Sequence, residues 1–554
     1  MKARHARGWR MAALVTTALV GACTVGPDFK GAQPWWQPSS WGKSTAPTPS
    51  EPPAAAPVST VIAKPVDPHW WDQFHDPELT SLEQRVVPDN LDLRIADTRL
   101  AEARSALGQA QAAEYPILNA DGSYSHEYLS PQGAVALFPT GAGATSSGGG
   151  FGGAPAGTTA TSFGSGGAVG GGNVGTLGAI PVPAGAKIPP FNLYQYGFDA
   201  SWELDFWGQV RRGVEAAKAT LQATEDQRRD ALVSVEAELA RDYINLRGVQ
   251  RTIEITKENL ESARQSLELT RQRAAQGVTT DLDVANAEAQ VSVIAAQLPA
   301  LDQQEAALIN ALSQLLGKPP GALKAELEQT RPIPPVPPEV PIGLPSELIR
   351  RRPDIRAAEA QLHAATAQVG VAIADFFPNV SLTGSFGISA LHAYQLGSLD
   401  AKQYGVGPTV SLPIFRGGQL VSTLQLRREQ EKEAGLNYQK TVLQALHDVD
   451  NALTAYNTEQ QRLAELGRTV EASRRALDLA RQRYVEGVAT FLDVLTAQSN
   501  LLSAELQQAQ SQTTLSTDLV ALYKALGGGW EQSYPDQPQP EQVKATTPAP
   551  AKPL

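Results

Sequence analysis

The side chains best placed for chemistry are written twice. Thr280 and Asp283 stand three residues apart behind Gly277, and Thr490 and Asp493 repeat that spacing behind Gly487 at an offset of 210 residues. A threonine followed three residues later by a carboxylate is related to the capping box, in which each side chain satisfies an open backbone N–H at a helix start. Negative charge there also meets the positive end of the helix dipole. The glycine ahead of each pair suits a helix C-terminus, where a left-handed backbone costs glycine little. The chemistry on offer is the ending and restarting of helices around fixed negative charge. Asp281 adds a carboxylate to the first copy, Phe491 takes its place in the second, and Tyr484 replaces Ala274. Nothing else converges. His5, His69, His75, His126, His363, His392 and His447 are scattered without metal-ligand spacing, and no local Ser/His/Asp arrangement stands out. The expectation is a protein that is not an enzyme and uses no metal or other diffusible cofactor.

The pairs lie inside a longer duplication. Residues 261–291 read ESARQSLELTRQRAAQGVTTDLDVANAEAQV, and residues 471–501 read EASRRALDLARQRYVEGVATFLDVLTAQSNL. A chain of two equivalent halves points to a structural device with internal symmetry. Long segments poor in proline and rich in Ala, Gln, Glu, Arg and Leu predict helices near 76–114, 209–275, 281–316, 350–374, 419–484 and 491–526, with a bend or join at Pro299. At ~1.5 Å per residue the longest approach roughly 100 Å, a length for coiled coils or helical tubes.

Four other segments alternate with period two. In 192–204, Tyr194, Tyr196, Phe198, Ala200, Trp202 and Leu204 share one face, with polar or small residues on the other. Segments 380–388 and 404–412 do the same, and 117–129 does so more weakly. Aromatic-out alternation of this kind is the pattern of a membrane barrel. Two hairpins cannot close a barrel, since single-chain barrels start at ~8 strands, and open strand edges are not tolerated in lipid. A membrane reading therefore requires oligomerisation. Three copies of four strands supply twelve.

The N-terminus reads as an export signal over 1–22, with Lys2, Arg4, Arg7 and Arg10 ahead of the short apolar run Met11–Val20. Cys23, the only cysteine, follows small residues, a spacing that resembles the bacterial lipoprotein signal and marks Cys23 for acylation (diacylglycerol and N-acyl). Thr24 in place of Asp favours the outer membrane by the same resemblance. Residues 23–66 then form an extended lipid-anchored segment. The first repeat covers 67–330 and carries a glycine-rich loop at 130–190 inside its hairpin. The second covers 331–530, and 531–554 is a Pro/Gln/Ala-rich tail expected to be disordered. A net charge of −11 opposes nucleic-acid binding.

Four segments carry a family likeness. They are Leu344–Glu359 (LPSELIRRRPDIRAAE), Val25–Asp28 after the cysteine, WWDQF at 70–74 with DPEL at 76–79, and 484–493 around Gly487. Across nearly all of 20–530 the chain resembles the TolC-like outer membrane factors, of the NodT/OprM type of efflux lipoprotein. The resemblance implies a mixed α/β membrane protein, a homotrimer whose twelve-stranded β-barrel (four strands per chain) is continuous with a long periplasmic α-helical barrel. It implies the passive exit duct of a tripartite efflux system, working with a periplasmic adaptor and an inner-membrane transporter of the resistance-nodulation-division class. It also implies that Asp283, Asp493, Asp281 and Tyr484 contribute to a periplasmic gate, with Gly277, Thr280, Gly487 and Thr490 shaping the turns. Two alternatives stand beside it: a duct for type I protein secretion, and a periplasmic coiled-coil lipoprotein that forms no pore. The aromatic strands oppose the second.

Overall fold

A computed structural model describes residues 24–31, 59–128, 190–343 and 350–535. In chain order the elements are β1 (Thr60–Ile62), a 3-10 turn (Trp70–Phe74), α1 (Pro77–Asp89), α2 (Leu91–Ala112), β2 (Ile117–Glu127), β3 (Phe191–Glu203), α3 (Gln209–Ala275), α4 (Asp281–Ala295), α5 (Leu298–Leu315) and α6 (Lys324–Leu327). The second half gives β4 (Glu339–Pro341), α7 (Pro353–Ala374), β5 (Asn379–Ala390), β6 (Lys402–Ser411), α8 (Gln419–Val485), α9 (Phe491–Ala525) and α10 (Trp530–Ser533). They form two compact units that cut across the sequence repeats: Tyr115–Leu204 with Asn379–Ser411, and the remainder. Residues 1–22, Cys23, most of 23–66, nearly all of the glycine-rich loop and the tail past Pro535 lie outside the described residues.

In the helical unit, α3 and α8 are both 67 residues long and both start behind a glycine with positive φ, Gly208 and Gly418. Helix α3 is the central member, packed by α2, α4, α5, α7 and α9. Its residues Leu232, Leu239, Tyr243 and Leu246 are fully buried. Helix α8 packs against α7 and α9, and its first 19 residues contain no buried side chain. Val421, Leu426 and Leu436 on that stretch are exposed.

Two expectations are corrected here. The helix expected across 76–114 is two helices. Asn90 leaves the helical backbone at ψ 131°, accepts from Leu93 N at 3.0 Å and donates to Leu315 O at 2.8 Å. Trp70 and Trp71 are buried, and Trp70 stacks on Tyr523 with ring centroids 5.3 Å apart. The stretch assigned to the tail from 531 starts inside α10, where Arg229 lies over Trp530 and Arg228 over Tyr534. The join at Pro299 is present as the α4–α5 break, whereas the corresponding α9 runs unbroken. At the head of the second half Arg352 pairs with Asp354 at 2.7 Å and Asp448 at 3.3 Å, and Arg351 with Glu531 at 2.6 Å.

The strand unit is one antiparallel sheet of order β2-β3-β5-β6. Its register aligns Ala120, Phe198, Phe386 and Tyr404 in one row, and Asn119, Asp199, Ser385 and Gly405 in the next. Because side chains alternate along a strand, these rows lie on opposite faces. One face is thus aromatic and aliphatic while remaining uncovered, with Tyr404 76% and Val406 80% exposed. The outer edges of β2 and β6 pair with no strand among the described residues.

Candidate functional site

The duplicated motif forms two turns of the helical unit, one joining α3 to α4 and the other α8 to α9. Both end the long helix identically. Val278 N donates to Arg273 O at 2.9 Å and Gly277 N to Ala274 O at 2.9 Å; Val488 N donates to Arg483 O at 2.9 Å and Gly487 N to Tyr484 O at 3.1 Å. This is the Schellman pairing, which needs a left-handed residue after the helix. Gly277 (φ 71°) and Gly487 (φ 77°) supply it, with open space where a Cβ would stand, so backbone angle and not crowding selects glycine.

Both return helices also start alike. Asp283 Oδ2 accepts from Thr280 N at 3.2 Å and Thr280 Oγ1 at 3.0 Å, and Asp493 Oδ2 accepts from Thr490 N at 2.8 Å and Thr490 Oγ1 at 2.8 Å. The first carboxylate gains a further donor, Thr279 Oγ1 at 2.5 Å, where the second turn has Ala489. The Thr279 hydroxyl leads in holding Asp283 below the usual carboxylate range, and the Thr490 hydroxyl does so for Asp493, helped by the charge of Arg483. Asp281 is exposed beside the first cap.

Around these shared caps the packing differs. In the second turn Tyr484 and Phe491 are buried with ring centroids 5.7 Å apart, in an apolar cluster with Leu267, Leu477 and Val494. The Tyr484 hydroxyl is buried without a hydrogen bond among the described residues. In the first turn Ala274 and Asp281 occupy those positions. Arg273 reaches from the first turn to the second, its guanidinium 4.6 Å from the Tyr484 ring centroid. Its Nη1 donates to Tyr484 O at 2.9 Å and Val485 O at 3.2 Å. Four apolar side chains point outward, Val278 and Leu282 on one turn and Val488 and Leu492 on the other, each 58–67% exposed. Sequence reasoning missed Arg273 and these four. The available signal was their duplication: apolar residues kept at matching places in two turns have no core to explain them.

Cys23 lies outside the described residues, but the chain behind it is docked. Val25 N donates to Trp207 O at 3.0 Å. The buried Arg212 donates to Asp28 Oδ1 at 2.6 Å, Glu215 Oε2 at 2.7 Å and Val25 O at 3.3 Å. Phe29 stacks on His363 at 4.5 Å, and His363 Nε2 sits 2.9 Å from Glu215 Oε1. A Cβ on Gly26 would lie 2.6 Å from Gly370 Cα, so the segment crosses α7 at backbone contact. Among the described residues no group of three or more His, Cys, Asp or Glu could hold a metal ion, and no helix is long and apolar enough to cross a membrane.

Known proteins share this architecture along most of the chain. The family model described as "Outer membrane efflux protein" matches residues 183–318 and 344–528. The antibiotic efflux pump outer membrane protein ArpC of Pseudomonas putida is 31% identical over 529 residues, covering 93% of this chain and 94% of that protein. The pyoverdine export outer membrane protein OpmQ of Pseudomonas aeruginosa is 31% identical over 463 residues, covering 83% and 87%. The solved outer-membrane channel OprN superposes with a TM-score of 0.76 at 33% identity, covering 92% of this chain and all of that one.

Proposed function

The chain belongs to the outer membrane efflux protein family and is the outer-membrane channel of an efflux pump, and on that premise we propose that three copies build one passive duct. The sheet carries this reading. Four strands expose an apolar face and leave the outer edges of β2 and β6 without a partner strand among the described residues, so other copies are needed to close them in lipid. Three copies of four strands give a twelve-stranded barrel, within the range of known barrels. The uncovered start of α8 supports the same assembly. Helix α3 is packed by α2 as well as α7, whereas α8 packs on α7 and α9 among the described residues, so a neighbour's α2 can cover the start of α8.

In this reading the two turns form the periplasmic tip. Asp283 and Asp493, with Asp281 beside the first, place carboxylates around the opening in each copy, and Tyr484 packs behind them. Their hydrogen bonds keep Asp283 and Asp493 charged in neutral and mildly acidic conditions, which favours cations electrostatically. The outward Val278, Leu282, Val488 and Leu492 offer apolar contacts to a periplasmic adaptor, which links the duct to an inner-membrane transporter of the resistance-nodulation-division class. ArpC and OpmQ are each 31% identical to this chain yet are named for different cargo; the duct passes small molecules that the transporter selects. Acyl chains on Cys23 would leave the body next to the docked residues 24–31 and hold it at the membrane.

Single-channel recording tests the duct and its tip together. The protein is expected to give trimer-sized particles and discrete conductance steps in lipid. Replacing Asp283 and Asp493 with Ala is expected to raise conductance and weaken cation preference. A protein that assembles but never conducts would remove the duct; unchanged traces from the double variant would remove the acidic gate.

A further inference from the structure

The duplication supplies an internal control for one side chain. Arg273 and Arg483 are equivalent at the 210-residue offset, and each lies in the last turn of its 67-residue helix. Only one crosses. Arg273 donates to Tyr484 O and Val485 O at the end of α8, while Arg483 is exposed and acts on its own turn through the Asp493 charge. The last carbonyls of a helix have no partner within it, and a cation there meets the negative end of its dipole. Nη1 of Arg273 binds two of them, and its guanidinium carbon lies over the Tyr484 ring, which packs on Phe491. A second tie lies further up the same helices. Arg481 donates to Ser262 Oγ on α3, and Gln498 of α9 donates to the same oxygen at 3.2 Å.

We propose that Arg273 is a positioning residue for the second turn: it holds the end of α8 and the Tyr484 ring, so that the two turns of one chain move as one body. The dependence runs one way, because Arg483 returns no bond to the first turn. A residue of the first half thereby sets where Tyr484, Phe491 and Asp493 stand. The staple itself is a property of a single chain; only its effect on conduction rests on the tip reading above.

Hydrogen exchange on the full-length protein in detergent, read by mass spectrometry, tests it. In Arg273→Ala, amides of 485–491 are expected to exchange about tenfold faster, with 275–281 unchanged. Arg273→Lys keeps the charge but loses the planar fork, and is expected to fall between; it carries the test should the alanine variant fail to assemble. Arg483→Ala should leave the first turn at its normal rate. Normal exchange at 485–491 in both Arg273 variants would overturn the proposal, as would equal acceleration of the two turns. Channel recording then separates the staple from the gate. Faster exchange with raised conductance supports both. Faster exchange with unchanged conductance keeps the staple and removes closure at the tip.

Discussion

The first turn and the second share their Schellman bonds and their threonine–aspartate caps and are strangers in their packing. Each ends a 67-residue helix with the same Schellman bonds and starts the next with the same threonine and aspartate. Yet one is surrounded by Ala274, Thr279 and Asp281, and the other by Tyr484, Ala489 and Phe491. Backbone geometry holds one part of the duplicated motif, and the other part is free to specialise. A left-handed residue and a capping acid are required wherever a helix reverses this tightly. What lies next to them is not, and there the second turn has gained an aromatic pair and an arginine lent by the first.

Removing a buried ring should break the contrast most visibly. Phe491→Ala is expected to cost about 3–5 kcal/mol, as for a buried aromatic truncated without collapse. Asp281→Ala at the matching place should stay within about 0.5 kcal/mol. Thermal unfolding followed by circular dichroism measures both, and equal losses would mean that the aromatic pair does not hold the second turn. The glycines should behave as a matched set. Gly277→Ala and Gly487→Ala are each expected to cost about 1 kcal/mol, the price of a left-handed alanine, in the same unfolding measurement. A marked inequality would show that the two turns differ in backbone strain as well as in packing. The smallest effect concerns pH. Both carboxyls titrate below their usual value near about 4, so their contribution is full above that value and is lost as pH falls through the lower folded one. Amide protection in 280–283 and 490–493, taken relative to the intrinsic exchange rate at each pH, should therefore hold steady from about pH 7 to 5 and fall only below about pH 4. Thr279→Ala should move the loss at Asp283 to higher pH, and Ala489→Thr should move that at Asp493 lower.

Much of this was legible in the residues because it is local. The bounds of α3 and α8 follow from proline-free stretches behind Gly208 and Gly418, and the strand faces follow from strict alternation. The capping pairs are visible as spacing alone. The break at Asn90 was also present locally, in the Pro88-Asp89-Asn90 run, but was hidden within an otherwise helical composition. Other features are tertiary and leave no such trace. Trp70 gives no sign that Tyr523, far along the chain, will cover it. Arg273 and Arg483 occupy equivalent places, and only the packing of α8 beside α3 decides which one crosses.

The equal length of α3 and α8 has a consequence for how the chain can change. Arg273 meets Tyr484 only because both helices count the same number of residues from their starting glycines to their ends. Deleting seven residues from α3 alone would draw its end back by about 10 Å, beyond the reach of any side chain. Deleting seven from both would keep the turns level. Length is therefore inherited as a pair: tolerated insertions and deletions in one long helix should come with compensating ones in the other, even where the residues themselves have drifted apart.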